Sequence, residues 1–378
     1  MGIKYDKYVH PVTHAFKTPM RNIASIDADT FPMMTHHLEA ITYHHPGSVY
    51  IPGKPMPLNY NEYNSPDYKG LRYGFDLLPS SRSPMLHTYD EYFFFVGTNP
   101  DDPNDLGGEL DFWLGAGQYA ERQYINKPTC IYVPAGMTHC PIDVHRVDRP
   151  FIELVVAPRP THTEFHPGLW PTGYEPPYPE GKPFKALNNV KPADTHIYSK
   201  YVTEIKSRRP AGPMRNGLVS DADENPIFTY HLEALFYHHP GSFYLPTNKM
   251  TLTMEEYKSP DYKGLRYPFD VIPKARSPMF HTYEEMFFFV GTNPDDPNDL
   301  GGELDFWLGT GEHAEKQFIN KPCCIYVPAG MTHCPIDVHK VNRPFYEFVI
   351  VPNPVHYEFH PGLWPTGYKP PYPEGLKK

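Results

Sequence analysis

The sequence has little that would suit a membrane or secreted protein. Nowhere do about 18 apolar residues run together, which is the length that a spanning helix needs. The opening residues, MGIKYDKYVHPV, lack the apolar core of a secretion signal. Cysteine is scarce, with five residues and no CxxC pair, which argues against a disulfide framework. We therefore expect a cytoplasmic protein with five reduced thiols and no membrane partner.

Positive charge is also in short supply, with 34 Lys and Arg against 44 Asp and Glu. Nucleic acids and acidic membranes are bound by clustered Lys and Arg, so we expect neither as a partner. No long stretch repeats apolar residues at helical spacing. Proline (47 residues), tyrosine (29) and phenylalanine (23) are abundant instead, which favours short strands joined by structured loops. The 21 histidines are the more informative excess.

A long internal repeat organises the chain. The run FFFVGTNPDDPNDLGGELDFWLG stands at 93–115 and again, letter for letter, at 287–309. Each copy has the length of an ordinary domain, about 100–200 residues, and the segment at 181–199 is polar and contains proline, as a linker should. We predict two domains from internal duplication, 1–190 and 191–378.

The candidate strands in each copy are short and end at Pro, Gly, Asn or Asp. In the first copy they include HHLEAITYHH, EYFFFVG, ELDFWLG, TCIYVP and PFIELVVAP. This pattern predicts an all-β fold. Between the copies, residues 151, 153 and 155 are unchanged while 152, 154 and 156 differ, and from 91 to 95 the one changed residue is Tyr92, which is Met286 in the second copy. The face that carries 91, 93 and 95 and the face that carries 151, 153 and 155 are therefore unchanged. Alternate residues of a strand share one face, and we predict that these faces line the interior.

Two blocks in each copy resemble the motifs of the cupin superfamily. The first is MLHTYDE at 85–91, leading to Gly97, and the second is PAGMTH at 134–139. The superfamily has HxHxxxE, an apolar strand and Gly, followed by a PxGxxH turn. The resemblance covers both copies nearly end to end, and it implies two tandem cupin-type (jelly-roll) β-barrels.

The resemblance also implies a metal site in each barrel. Carried over position by position, it makes ligands of His87, Glu91 and His139, with His281, Glu285 and His333 as their equivalents. Two imidazoles and one carboxylate leave coordination positions open on a divalent ion, for which Mn(II) or Fe(II) is our expectation. Ordinary hydrogen-bonded polar residues are the alternative, and recurrence in both copies disfavours it. A straight strand would separate His87 from Glu91 by about 13 Å, so residues 88–90 must turn.

One position departs from the cupin pattern. The first His of HxHxxxE is Met85 here and Met279 in the second copy, so the usual fourth ligand is missing. Glu153 and Glu347, on the predicted inner face, are candidates for a substitute ligand or a general acid or base. The alternative for both is a hydrogen-bonded strand carboxylate.

Further candidates lie close to the motifs. Tyr89 and Tyr283 stand beside the ligand His and would donate to a bound oxyanion, unless they are core aromatics. Secondary candidates sit on a strand before the first motif: His37, His44 and His45, with His231, His238 and His239 as equivalents. Neighbouring His44 and His45 cannot both face inward.

The leading functional hypothesis is a metal-dependent enzyme that acts on a small chelating oxygenated substrate, such as a phenol, a β-dicarbonyl or a hydroxy or oxo acid. The resemblance implies C–C bond cleavage of the dioxygenase or decarboxylase kind. Two alternatives stay open: an oxygen-independent hydrolase or isomerase, and a non-catalytic ligand-binding or storage protein. We expect a homo-oligomer.

Overall fold

The computed structural model describes residues 5–49, 84–164, 171, 197–208, 212–243, 278–359, 364–369 and 371. Within these ranges the chain forms β-strands and four single-turn 3-10 helices, at Asp6–Tyr8, Gly117–Tyr119, Ser199–Tyr201 and Gly311–His313, and no α-helix. The all-β prediction is confirmed. None of these short helices is long and apolar enough to span a bilayer.

The chain divides into two compact units. Residues His14–Lys206 form one unit, called barrel N below. Residues Met1–Thr13 and Ser207–Lys378 together form the other, called barrel C. The predicted division between residues 190 and 191 falls outside the described residues. The first thirteen residues belong with the second copy of the repeat.

Barrel N is built from two antiparallel sheets. A seven-stranded sheet has the order β12-β9-β6-β11-β4-β3-β2, and a four-stranded sheet has the order β5-β10-β7-β8. The strands are β2 (His14–Lys17), β3 (Arg21–Ile26), β4 (His37–Tyr43), β5 (Gly47–Val49), β6 (Glu91–Gly97), β7 (Gly108–Leu114), β8 (Glu121–Ile125), β9 (Thr129–Val133), β10 (His139–Val147), β11 (Phe151–Ala157) and β12 (Val202–Glu204).

Barrel C repeats this arrangement. Its six-stranded sheet has the order β1-β19-β16-β21-β14-β13, and its four-stranded sheet has the order β15-β20-β17-β18. The strands are β1 (Val9–Pro11), β13 (Arg215–Ser220), β14 (His231–Tyr237), β15 (Gly241–Phe243), β16 (Glu285–Gly291), β17 (Gly302–Leu308), β18 (Glu315–Ile319), β19 (Cys323–Val327), β20 (His333–Val341) and β21 (Phe345–Val351).

The two copies exchange their first strands. Strand β1 precedes all of barrel N in the sequence, yet its Val9 pairs with Ile325 of β19 in barrel C. Strand β12 precedes the rest of the second copy, and its Val202 pairs with Ile131 of β9 in barrel N. Each barrel therefore borrows an edge strand from the other copy of the repeat.

The predicted inner face lines the barrel interior. Phe93, Phe95, Phe151 and Val155 belong to the core cluster of barrel N. That core joins side chains of the seven-stranded sheet to Phe112 and others of the four-stranded sheet. The prediction of the inward face from the unchanged positions is confirmed.

A proline-rich arm covers part of the four-stranded sheet of barrel C. The Tyr368 hydroxyl donates to an Asp337 carboxylate oxygen at 2.8 Å, and its ring meets Trp307 edge-on at 5.7 Å. Thr366 N–H donates to the Gly311 carbonyl. Asp337 alternates with the core residues Ile336 and Val338, so the arm lies on the outer face of the sheet.

All five cysteines are buried and form no disulfide. They lie in β9, β10, β19 and β20. The expectation of five reduced thiols agrees with this arrangement.

Candidate metal centre

The first motif places its His and Glu side by side. Strand β6 begins at Glu91, and the chain bends at 88–89 just before it. The bend brings His87 Nε2 to 3.0 Å from Glu91 Oε2, and His281 Nε2 lies at the same distance from Glu285 Oε2. The turn that the sequence requires between these two residues is present in both barrels.

The second motif delivers the other imidazole. Gly136 has φ +82°, a left-handed conformation that favours glycine. Its N–H donates to the His87 carbonyl at 2.8 Å, which ties the second motif to the first. Strand β10 then begins at His139, whose Nε2 lies 3.1 Å from Glu91 Oε2; the equivalent distance from His333 to Glu285 is 3.0 Å.

Backbone carbonyls fix the tautomers of both imidazoles in barrel N. His87 Nδ1 lies 2.8 Å from the Thr163 carbonyl, and His139 Nδ1 lies 3.1 Å from the Met137 carbonyl. A carbonyl oxygen only accepts, so each Nδ1 carries the proton and each Nε2 presents a lone pair. These lone pairs face a carboxylate oxygen, so a cation or a further proton must stand between them.

A third imidazole faces the same carboxylate, and the sequence argument missed it. His162 follows β11, and its Nε2 lies 3.4 Å from Glu91 Oε1. In barrel C, His356 Nε2 lies 3.4 Å from Glu285 Oε1 and 3.5 Å from His281 Nε2. Donor atoms of His87, Glu91 and His162 all lie within 4.8 Å of one another.

A comparison of the two copies carries a signal for these residues. The segment RPTHTEF at 159–165 becomes NPVHYEF at 353–359, so the His is kept while three of its neighbours change. The signal was available from sequence, but no family motif draws attention to it.

The donor set fits a divalent ion. Among the described residues, Nε2 of His87, His139 and His162 and Oε2 of Glu91 are buried and lack a hydrogen bond. An ion with ligands at about 2.1 Å separates neighbouring donors by about 3.0 Å in an octahedron and about 3.4 Å in a tetrahedron. His87 and His139 lie 3.0 and 3.1 Å from Glu91 Oε2, and His162 lies 3.4 Å from Oε1, so each imidazole stands at such a spacing from one carboxylate oxygen.

The carboxylate at the centre is held ionised. Burial opposes ionisation of Glu91, but the imidazoles of His87, His139 and His162 outweigh it and hold the pKa of Glu91 well below its usual range. Glu285 has its pKa lowered in the same way by His281 and His333. A fixed negative charge on an inner carboxylate favours cation binding.

Apolar rings enclose the inner side of the centre. The Phe93 ring lies 5.4 Å from the His139 ring, and Phe112 stacks parallel to His139 at 6.4 Å. Both phenylalanines are buried. A low-dielectric wall of this kind strengthens electrostatic interactions at the centre.

Tyr89 and Tyr283 contact the segment that carries the third imidazole. Thr163 N–H donates to the Tyr89 hydroxyl at 2.9 Å, and Tyr357 N–H donates to the Tyr283 hydroxyl at 2.6 Å. Burial raises the pKa of both tyrosines above the ordinary value, so both hydroxyls stay protonated. In this structure the hydroxyls bind backbone, and a role toward a bound oxyanion stays a prediction.

Glu153 and Glu347 do not join the centre. Glu153 pairs with Phe95, four residues along β6 from Glu91, which is about 13 Å. Its carboxylate accepts a hydrogen bond from the buried Tyr43 hydroxyl at 2.5 Å, as Glu347 does from Tyr237. Burial raises the pKa of each glutamate to about 7. Neither replaces the missing ligand, and a catalytic role stays a prediction.

Two of the secondary histidines lie directly behind the centre. In barrel C, His231 Nδ1 lies 3.1 Å from Asp221, His231 Nε2 lies 2.8 Å from Glu233, and Glu233 lies 3.7 Å from His356 Nδ1. Burial opposes protonation of His231, but its two carboxylate partners raise its pKa to about 9. Asp221, His231, Glu233 and His356 form a row, called the rear row below, with Asp221 at its far end and the third imidazole at the end next to the centre.

Barrel N has the same residues behind its centre. His37 lies 3.3 Å from both Asp27 and Glu39, and its ring stacks on His162 at 4.7 Å. His44, His45, His238 and His239 follow β4 and β14, and their N–H groups donate to the carbonyls of Met20 and Met214. Among the described residues, none of these four histidines clusters with two other His, Cys, Asp or Glu side chains in a way that could hold a metal ion.

Solved structures give the fold a counterpart. No protein-family model and no curated protein sequence matches the chain. Oxalate decarboxylase of Bacillus subtilis matches in structure: the enzyme at pH 4.6 has a TM-score of 0.51 and 9% identity over 92% of this chain and 75% of its own. A structure from a study of its Mn(II) centres has a TM-score of 0.52 and 8% identity over 93% and 78%.

A mutant of the same enzyme matches with a TM-score of 0.51 and 9% identity over 92% of this chain and 76% of its own. At such identities the likeness concerns the fold. It confirms the prediction of two tandem cupin-type barrels in one chain.

Proposed function

We propose that this chain is a divalent-metal-dependent bicupin enzyme that acts on a small oxo acid or a related chelating oxygenated substrate. The observation that carries the proposal is the buried group of imidazole and carboxylate atoms around Glu91 that lack hydrogen bonds among the described residues. The same contacts recur around Glu285, where Glu285 Oε2 and His333 Nε2 lack them. Imidazole and carboxylate donors suit Mn(II) and Fe(II). A bound ion would polarise the substrate's oxygens as a Lewis acid.

The protein's own residues prepare the centre for such a substrate. His87 and His139 are oriented through Nδ1, so both present Nε2 to the same point. Glu91 supplies one negative charge, which leaves a divalent ion with net positive charge to attract an anionic acid. Phe93 and Phe112 keep the inner side of the centre apolar.

The structural neighbours support the reaction class. They are oxalate decarboxylases, and the enzyme studied in one of them contains Mn(II) centres. Cleavage of a C–C bond next to a carboxylate is therefore the first reaction to test here. A dioxygenase acting on a chelating dicarbonyl or phenol is the next candidate, and it needs dioxygen as co-substrate.

Metal content is the first experiment. The purified protein is analysed for bound metals, then stripped and reloaded separately with Mn, Fe, Co, Ni and Zn. We expect up to two ions per chain and the highest turnover with Mn(II) or Fe(II). Absence of divalent metal at meaningful occupancy after reloading would refute the proposal and favour a metal-free binding protein.

Turnover is the second experiment. Oxalate, 2-oxo and hydroxy acids, β-dicarbonyls and phenols are incubated with the loaded protein in air and without oxygen, and CO2 release and dioxygen uptake are recorded. Oxygen uptake in step with substrate loss indicates a dioxygenase, and CO2 release without it indicates a decarboxylase. The double variant His87→Ala/His281→Ala serves as the inactive control.

A further inference from the structure

We propose that His162 and His356 are the fourth protein ligands of the two metal centres and take the place left by Met85 and Met279. The inference rests on the proposed function, because it concerns the same bound ion. It adds a ligand that enters from outside the two sequence motifs, on the segment that follows the last strand of each barrel.

Met85 is in no position to serve as that ligand. Its backbone pairs with His139 in both directions, at 2.9 and 2.8 Å, and its side chain packs against the barrel core. A thioether is a soft donor that suits Cu(I) and is a poor ligand for Mn(II) or Fe(II). The residue that replaces the motif histidine therefore closes that side of the centre without binding the ion.

His162 approaches the centre from the other carboxylate oxygen. His87 and His139 face Glu91 Oε2, whereas His162 faces Oε1 at 3.4 Å. Its Nε2 is buried and lacks a hydrogen bond among the described residues. The His162 ring lies 4.7 Å from the rings of both His87 and His37, so its plane is fixed between two imidazoles.

Two hydrogen bonds, called the backbone clamp below, hold the main chain of Thr163, the residue that follows His162. His87 donates from Nδ1 to the Thr163 carbonyl, and Thr163 N–H donates to Tyr89. In barrel C, His281 and Tyr283 clamp Tyr357 at 2.7 and 2.6 Å. Because the clamp binds main-chain atoms, the clamped side chain is free to differ between the copies while the histidine before it does not.

The segment has further support in barrel C. Phe280 and Phe359 pair through two backbone hydrogen bonds, at 2.9 and 3.1 Å. Glu233 lies 3.7 Å from His356 Nδ1, on the side away from Glu285. A carboxylate behind one ring nitrogen favours a proton there and leaves the other nitrogen as the ligand.

The test uses Mn(II) and Co(II) with the full-length chain. Pulsed EPR on the Mn(II)-loaded wild-type protein counts the coupled imidazole nitrogens, and we expect three for each centre. His162→Ala and His356→Ala should each weaken Co(II) binding at one centre by about 100-fold or more, the upper end of what loss of an outer partner costs. The Co(II) absorption spectrum of that centre should change as well.

Matched controls remove an exposed imidazole from the same barrel. His14→Ala in barrel N and His313→Ala in barrel C should leave Co(II) affinity and spectrum unchanged, since both side chains are exposed. The EPR count needs no variant, so a variant that fails to fold does not decide the outcome.

The outcomes separate this inference from the proposed function. Two coupled imidazoles per centre, or unchanged Co(II) binding and spectrum in folded His162→Ala and His356→Ala, overturn the inference and leave a three-ligand enzyme. A wild-type protein that takes up neither ion overturns the proposed function itself.

Discussion

The two barrels agree at the centre and differ behind it. The three carboxylate contacts measure 3.0, 3.1 and 3.4 Å around Glu91 and 3.0, 3.0 and 3.4 Å around Glu285. The rear row is tighter in barrel C, where His231 lies 2.8 Å from Glu233; His37 and Glu39 in barrel N are 3.3 Å apart.

The far end of the rear row differs more. In barrel C, Arg208 donates to Asp221 at 2.7 Å and to Glu224 at 2.9 Å, and the far end is thereby anchored. In the first copy of the repeat, the segment that corresponds to Arg208 forms strand β2, which pairs with β3. The arginine–carboxylate contact therefore belongs to barrel C among the described residues. Both copies keep the arrangement of ligand atoms that an ion needs, but the rear row that supports those atoms differs between them. We therefore expect the two centres to bind metal with unequal affinity.

The largest effect should come from removing one motif histidine at a time. His87→Ala should reduce the metal content from two ions per chain to one by emptying barrel N, and His281→Ala should do the same for barrel C. Elemental analysis of each variant gives the count, and its turnover shows which barrel is active. A His87→Ala protein that still holds two ions would remove His87 from the centre.

The second prediction concerns a feature that the barrels share. Burial raises the pKa of Glu153 and Glu347 from 4.5 to about 7, so the folded chain binds more protons than the unfolded chain between these values. The free energy of unfolding therefore falls as pH rises through this window, by at most about 3 kcal/mol per site. Above pH 7 both buried carboxylates are ionised, and the fold carries the full destabilisation.

Glu153→Gln and Glu347→Gln should each remove the destabilisation that comes from ionising a buried carboxyl. Each variant should have a higher free energy of unfolding than the wild type at pH 8, with little difference at pH 4. Urea unfolding at both pH values measures it. Because the two carboxylates have the same environment, we expect equal gains. A gain at only one site would show that the barrels differ in their interiors too.

The third prediction tests the rear row. Glu233→Gln should weaken metal binding in barrel C by about 10- to 100-fold, because it removes the carboxylate behind His356. Glu39→Gln should weaken barrel N less, since His162 Nδ1 faces Glu164 at 3.6 Å instead. Each affinity is measured with the other barrel emptied, by His87→Ala or His281→Ala. Equal losses in both barrels would contradict an unequal support.

Sequence predicted the parts of this structure that depend on local patterns. The all-β fold, the inward face and the turn between His87 and Glu91 follow from strand alternation and from the distance that two ligands must close. The repeat implied two domains, and the resemblance of their motifs to the cupin superfamily implied that each is a barrel. These features need only spacing and residue type.

Other features depend on how distant segments meet, which spacing does not reveal. Strand β1 pairs in barrel C because an edge of β19 is open to it, and nothing in VHP indicates which copy it joins. His162 is 71 residues from Glu91 and reaches it only because the fold brings the end of β11 to the start of β6. Glu153 has the right face but lies at the wrong depth, a coordinate that alternation does not give.

The smallest effect should come from removing the tyrosine hydroxyl from the backbone clamp. The same substitution distinguishes two roles for Tyr89. Tyr89→Phe and Tyr283→Phe each lose two hydrogen bonds to the clamped segment, the one that the hydroxyl accepts from a backbone N–H and the longer one that it donates to the carbonyl of the same residue. Together these are worth about 1 kcal/mol, so metal affinity should weaken about fivefold. Barrel C should lose more, because the bond that its hydroxyl accepts is shorter, 2.6 against 2.9 Å. Metal titration and turnover are measured on the same samples. If affinity falls and turnover at saturating metal does not, Tyr89 positions the third imidazole. If turnover collapses while affinity holds, the hydroxyl acts on the substrate, as the sequence position beside His87 suggests.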